Sequence, residues 1–138
     1  MRTTLTVYRL ILITLLPFVC TSAIAEWVKV SDGILGSSIY ANPASIHRNG
    51  STVDMLDMTD FKSVQVFNGV AYLSLTAHSQ YDCNEEMTRE LLEDAYSGYM
   101  GNGKSVLNYG VREWHPISPH NASEALWKFA CGTKCKLH

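Results

Sequence analysis

The chain has 138 residues, of which 46% are hydrophobic and 17% are charged, and its net charge is −2 with histidine neutral. This length suits one small domain and excludes multidomain enzymes and long repeat arrays. The slightly acidic balance lacks the basic footprint of a nucleic-acid-binding protein, so no nucleic-acid partner is expected.

The first 25 residues, 1–25, match a secretory signal peptide. Two arginines precede or border an apolar run, residues 10–20, and Ala23-Ile-Ala25 supplies the small-residue cleavage pattern. The run is about half of the roughly 20 residues that a membrane-spanning helix needs, and no longer apolar run follows, so no transmembrane segment is predicted in the mature chain. Cleavage before Glu26 leaves the 113 residues 26–138, which keep nine of the 11 basic residues and all 13 acidic ones, for a net charge of −4.

Short runs between turn signals predict an antiparallel sheet in the first part of the mature chain. Residues 26–30 and 39–47 are strand candidates, and the second is interrupted at Asn42-Pro43, where the missing amide hydrogen of proline requires an edge or a bend. Residues 53–59 form a less regular candidate after the Asn49-Gly50 turn.

The strongest local signal is the dipeptide Asn68-Gly69 between residues 64–67 and 70–81. It predicts a β-hairpin, because a two-residue hairpin turn needs residues that tolerate positive φ. Residues 84–100 are ambiguous, since their apolar side chains recur at helical spacing and propensity by itself predicts a helix. Residues 105–111 are a further strand candidate.

The last element is predicted to be a helix. Asn121 can cap it, and Glu124 follows three residues later, as in a capping box. Leu126, Phe129 and Ala130 then share one face, and Gly132 ends the pattern. Its C-terminal end is complemented by the lysines Lys128, Lys134 and Lys136. Asn121-Ala-Ser123 also matches the N-glycosylation triplet, but the cap explains Asn121 without it.

No catalytic group is predicted, so we expect a protein that is not an enzyme. There is no G-x-S-x-G nucleophile signature, and the histidines show no metal-ligand spacing. Asp54, Asp57 and Asp60 recur every third residue without the glycine and glutamate of a calcium loop, so we expect a solvated strand face or turn there. The five histidines are His47, His78, His115, His120 and His138.

The four cysteines bear on whether the protein forms a disulfide in an oxidising compartment. Cys20 departs with the signal peptide, and an exported chain that keeps Cys83, Cys131 and Cys135 is expected to form one disulfide and leave one thiol. The three residues by themselves leave the pairing open. Cys131, Cys135 and His138 could contact zinc or haem, but a fourth ligand is not evident, so we predict no metal and no cofactor.

Short motifs spread over residues 26–131 are more specific together than separately. In chain order they are Trp27, the tract at 39–50, Met58-Thr-Asp-Phe61, Tyr81-Asp-Cys83, Arg89, Trp114-His-Pro-Ile-Ser-Pro119 and residues 125–131. In that order the chain resembles the bacterial surface-adhesin protein E family.

The resemblance implies a small α+β fold, in which an antiparallel β-sheet carries a C-terminal α-helix tethered to it by a Cys83–Cys131 disulfide. It also implies that residues 87–100 are largely strand, against their helical spacing. Cys135 lies beyond the family's last cysteine and is expected to be free or intermolecular. Residues 26–138 would then form a surface-adhesin E-like domain.

The founding member of this family is an outer-membrane lipoprotein adhesin for host matrix and serum proteins such as vitronectin and laminin. The resemblance therefore implies an exported, non-enzymatic protein-binding module of the periplasm or cell surface, and a homodimer stays open. No ligand-contact residue can be transferred. Pro17-Phe-Val19 before Cys20 lacks the small residue of a lipobox, which argues against a lipid anchor. The alternative is a periplasmic envelope accessory or dimerisation module without host contact.

Overall fold

A computed structural model of the protein describes residues 26–132. They form a curled, mostly antiparallel sheet with one C-terminal helix packed on it. The predicted signal peptide and the predictions for Cys135 and His138 lie outside the described residues. Within residues 26–132 no helix combines the length and apolar character needed to cross a membrane.

The strands follow one another in space as they do in sequence, from β1 to β6, and a short seventh strand pairs with β5. Two single-turn 3-10 helices interrupt the connections, at Ile34–Gly36 and Tyr99–Gly101. The elements are β1 Val28–Asp32, β2 Ser38–Asn49, β3 Thr52–Phe67, β4 Val70–Asp82, β5 Met87–Tyr96, β6 Ser105–Tyr109, β7 His115–Pro116 and α1 Ala122–Gly132.

Strand β2 bends where proline predicts it. The pairing with β3 shifts between Asn42 and His47. The side chain of Asn42 accepts a hydrogen bond from the amide of Ala44 at 3.1 Å, and its carbonyl accepts one from the Ser45 hydroxyl at 2.6 Å. The irregular backbone is thus satisfied by local side-chain bonds, as a broken ladder requires.

The predicted hairpin at Asn68-Gly69 is confirmed. Both residues have positive φ, 49° and 77°, and the flanking Phe67 and Val70 pair directly. Strand β3 is longer than the pattern suggests, because it includes both of the predicted segments, residues 53–59 and 64–67. Its register against β4 shifts between Asp60 and Gln65, which explains why the alternation is interrupted there.

Residues 87–96 are strand β5, as the family resemblance implies and against the helical spacing. His78 pairs with Leu92 and Ser79 pairs with Glu90, so Leu91 is an extra residue in the ladder. A bulge of this kind reverses the faces of the residues that follow. The strand alternation is therefore disguised in the sequence.

The predicted helix and its cap are confirmed. Asn121 Oδ1 accepts the amides of Ser123 and Glu124 at 2.9 and 3.3 Å. The Glu124 carboxylate accepts the amide of His120 at 2.6 Å, one residue earlier than in a capping box. Ala130 on the predicted face is fully buried in the core.

Helix α1 packs on the face of the sheet that carries Val53, Met55 and Tyr81, all at most 2% exposed. The Cys83–Cys131 disulfide joins the end of β4 to the end of the helix, with the two Cα atoms 5.6 Å apart. This is the pairing that the resemblance implies. Closing a loop of 48 residues restricts the unfolded chain, so the bridge stabilises the domain.

The opposite face of the sheet is covered locally by the turn at Tyr99–Gly101. The amide of Met100 donates to Asp60 Oδ1 at 2.7 Å, and that of Gly101 donates to Ser74 Oγ at 2.9 Å. A Cβ on Gly101 would lie 3.4 Å from Thr76, and its φ is +71°, so both the close approach and the backbone favour glycine. The turn buries Met58 completely.

Candidate binding surfaces

Some of the residues that carry the family resemblance, namely Arg89, Trp114, Trp127 and the bridged Cys83 and Cys131, make internal contacts that we call the clamp. The Arg89 guanidinium carbon lies 4.7 Å from the centre of the Trp114 ring, a cation–π contact, and its Nε donates to Gln80 Oε1 at 2.8 Å. The indole of Trp127 donates to the carbonyl of Asp82 at 3.0 Å. Together with the disulfide, these contacts fasten the helix and the β4–β5 end of the sheet.

The segment after Trp114 closes the same end of the molecule. His115 and Pro116 pair with Thr88 and Met87 of β5, and the amide of Ile117 donates to the carbonyl of Glu86 at 2.9 Å. The backbone of residues 115–117 therefore fastens this segment to β5 and to the turn before it, while His115 and Pro116 themselves stay exposed. The clamp and this segment act as scaffold, so a binding surface is sought elsewhere.

The three aspartates spaced by three residues do not come together. Successive strand residues point to opposite faces, so Asp57 faces the helix while Asp54 and Asp60 face away. Asp57 is only 9% exposed, which corrects the expectation of a solvated face. Within residues 26–132 there is no cluster of three or more histidine, cysteine or acidic side chains placed to hold a metal ion.

Asp57 is the most perturbed acid of the described residues. Its Oδ2 accepts hydrogen bonds from Ser79 Oγ at 2.6 Å and from the Tyr81 hydroxyl at 3.0 Å. Burial raises its pKa to about 7, while these two hydrogen bonds act in the opposite direction. Glu90 and Glu93 are negative charges that raise the pKa further. Asp57 can therefore hold a proton near neutral pH.

The space around Asp57 limits what this proton can do. The adjoining cavity is about 90 Å³, lined also by Thr88, His115 and Leu126. Binding sites for small molecules usually exceed about 300 Å³, so this cavity admits a few atoms and no metabolite-sized substrate. The raised pKa of Asp57 is therefore expected to make the stability of the domain depend on pH.

The β3–β4 hairpin extends beyond the helix and exposes apolar side chains. Val64, Val66 and Phe67 are 58%, 67% and 47% exposed, and residues 63–73 contain no charged residue. Phe67 packs edge-on against Tyr109 of β6, with ring centres 6.0 Å apart, and Arg112 lies over Tyr109 at 5.5 Å. Val66 and Phe67 are neighbours in the strand and so lie on opposite faces of the hairpin. We call the two faces together, with Val64, Val66, Phe67, Tyr109 and Arg112, the hairpin-end surface.

The sequence predicts the hairpin but not this surface. The sequence does carry one signal for this surface, because neither face of the turn region contains a charged residue. A hairpin that is covered on one face normally carries charged residues on the other. Exposed apolar groups gathered in this way are typical of protein-interaction sites.

The model of the family described as surface-adhesin protein E matches residues 27–132. The chain belongs to the surface-adhesin protein E family. Residues 27–132 include the clamp, the disulfide and the hairpin-end surface. No curated protein sequence matches the chain significantly.

Solved structures of Haemophilus influenzae protein E share the fold. Crystal form II superposes with a TM-score of 0.59 at 12% identity, covering 79% of this chain and 89% of that one. The selenomethionine form gives 0.59 at 12% identity over 83% and 92%. Protein E from non-typeable Haemophilus influenzae gives 0.55 at 13% identity over 81% and 79%. At this identity the likeness concerns the fold.

Proposed function

We propose that the chain is an exported bacterial surface adhesin that binds host proteins and has no enzymatic activity. The observation that carries this proposal is membership of the surface-adhesin protein E family over residues 27–132. Residues 1–25 are then the signal peptide, and residues 26–138 are the mature binding domain. Host matrix or serum proteins, with vitronectin and laminin as first candidates, are the proposed partners.

The hairpin-end surface is the proposed contact region. Its turn, Asn68-Gly69, lies at one end of the 13-residue strand β4, and the disulfide at Cys83 lies just beyond the other end. At about 3.3 Å per residue the two are roughly 40 Å apart. The clamp thus fixes the scaffold without covering the hairpin, and a braced scaffold reduces the entropy lost when a partner binds.

The chemistry of this surface suits a protein partner. Exposed valines and Phe67 offer apolar area, and Tyr109 with Arg112 are residue types that are enriched where proteins meet. Because residues 63–73 carry no charge, contact there does not require ions to be desolvated.

The proposal is tested by two measurements, one on intact cells and one on the purified domain. Protease accessibility of intact cells, combined with fractionation, distinguishes surface exposure from the periplasm. Binding of the purified domain to immobilised vitronectin and laminin is then compared for the wild type, Val66→Lys and Phe67→Ser. Leu92→Lys is the matched control, because Leu92 is also exposed, at 42%, but lies on strand β5.

We expect surface exposure, and a loss of at least tenfold in affinity for the hairpin variants and not for the control, as removal of an interface hot spot gives. A protease-protected periplasmic protein that binds neither host protein would favour the envelope accessory module instead. Equal losses of affinity in all three variants would show that the contact region lies outside the hairpin.

A further inference from the structure

We propose that a cleft at the hairpin-end surface receives a cationic side chain, lysine or arginine, from the partner protein. The cleft lies between the β3–β4 hairpin and strand β6, and its volume is about 280 Å³. Sites for small molecules usually exceed about 300 Å³, so a single long side chain suits this cleft better than a metabolite. The inference rests on the proposed function, because it names the chemistry of the group that enters the same surface.

A half-buried carboxylate lines the cleft. Glu93 of β5 has a side chain that is 20% exposed, so a group in the cleft can reach it. Arg112 Nη2 lies 3.4 Å from Glu93 Oε1, which is longer than a strong charge-assisted hydrogen bond. A carboxylate can accept several hydrogen bonds, and within residues 26–132 this is the one side-chain donor that reaches it. The carboxylate can therefore accept a second donor.

The charges around Glu93 are unbalanced. Burial raises the pKa of Glu93, Arg112 lowers it without cancelling the rise, and the negative charge of Glu90 raises it further. Glu90 in turn lies 3.5 Å from His115, which is positively charged only when it is protonated. The ion pairs of these two carboxylates thus include one permanent cation, Arg112. A further cation in the cleft would be attracted to them, and an anion would be repelled.

The walls of the cleft are aromatic. Phe67 and Tyr109 meet edge-on, with ring planes at 74° and ring centres 6.0 Å apart, and Tyr72 lines the cleft beside them. The faces of aromatic rings attract ammonium and guanidinium groups electrostatically. Rings next to a carboxylate therefore suit a cationic side chain better than a neutral or an anionic one.

Arg112 shows which chemistry the cleft accepts. Its guanidinium carbon lies 5.5 Å from the centre of the Tyr109 ring while its Nη2 reaches Glu93, so an arginine of this chain already uses one ring and the carboxylate. The Arg112 side chain is 51% exposed and has room to turn toward solvent, whereas Glu93 lies within strand β5. A lysine or arginine of the partner would compete with Arg112 for the same two groups.

The test is an NMR titration of the amide resonances of the mature chain with N-acetyl-argininamide. One matched probe is N-acetyl-citrullinamide, which keeps the shape of arginine without its charge, and the other is the anionic N-acetyl-glutamic acid α-amide. We expect saturable shifts from the arginine probe at residues 67–75, 93 and 107–112, and binding of the other two probes that is weaker by roughly fivefold or more. Equal or tighter binding of either matched probe would overturn the assignment to a cation.

Two substitutions should change the affinity for the arginine probe in opposite directions. Glu93→Gln removes the carboxylate charge and should weaken binding roughly fivefold, whereas Arg112→Gln removes the internal competitor and should tighten binding roughly twofold to fivefold. Asp94→Asn is the matched control, because it removes the same charge from the opposite face of β5 and should leave binding nearly unchanged. Damage to the fold cannot produce opposite effects, and each variant's amide spectrum reports its folding.

The site is refuted if the arginine probe causes no saturable shift, if Glu93→Gln binds it as tightly as the wild type, or if Arg112→Gln binds it more weakly. No host protein is used, so failure to bind vitronectin and laminin would leave these results intact. Translational diffusion in the same samples reports association of the domain. A dimer of the free domain that the arginine probe dissociates would make a second copy of this chain the occupant and overturn the assignment to a foreign partner.

Discussion

Replacing the buried acid Asp57 with asparagine should change how the stability of the protein depends on pH. Between the ordinary pKa of 3.8 and the folded-state value of about 7, the folded protein keeps a proton on Asp57 that the unfolded chain has released. The free energy of unfolding therefore falls by about 1.4 kcal/mol for each pH unit in this window. The fall is complete above pH 7.

Asparagine keeps an oxygen that can accept hydrogen bonds from Ser79 and Tyr81, but it does not ionise. The difference in unfolding free energy between wild type and Asp57→Asn should therefore shift by roughly 3 kcal/mol between pH 5 and pH 8, in favour of the variant at the higher pH. Glu93, whose pKa burial also raises, is present in both proteins. The difference consequently isolates Asp57.

Urea unfolding followed by tryptophan fluorescence at several pH values measures these free energies. Ser79→Ala is the informative companion, because removal of the 2.6 Å hydrogen bond should raise the pKa of Asp57 further and extend the falling limb to higher pH. If the free energies of unfolding of the wild type and of Asp57→Asn change by the same amount between pH 5 and pH 8, Asp57 is not the buried, protonated group described above.

Three further variants test the scaffold. Replacing Cys83 and Cys131 together with alanine should lower the free energy of unfolding by roughly 4 kcal/mol, because the bridge closes a loop of 48 residues. Non-reducing peptide mapping of the wild type should find the Cys83 peptide joined to the Cys131 peptide. A dominant bridge from Cys83 to Cys135 would refute the pairing. Asn121→Ala should cost about 1 kcal/mol in thermal unfolding, because two first-turn amides lose their acceptor, and an unchanged melting temperature would show that the cap is dispensable. Phe129→Ala should cost about 3 kcal/mol, since its ring packs against the core under α1, whereas a loss below 1 kcal/mol would place that ring outside the core.

Local chemistry was sufficient to predict several elements from the sequence. The Asn68-Gly69 turn depends on backbone preferences of the two residues themselves, and the cap at Asn121 depends on atoms within three residues. The proline at position 43 predicts a bend because it lacks a donor in any context. The order of short motifs identified the family, and with it the cysteine pairing and the strand at β5.

Only the tertiary structure decided where the perturbed and exposed groups lie. The extra residue Leu91 hides the strand alternation of β5, because periodicity arguments assume an unbroken ladder. The burial of Asp57 depends on which face of β3 the helix covers, and the spacing of the aspartates does not contain that information. The exposure of Phe67 arises because the first turn of the helix lies beside Thr59 and Phe61, and the hairpin extends beyond it. These properties depend on packing between distant segments, which no local pattern in the sequence records.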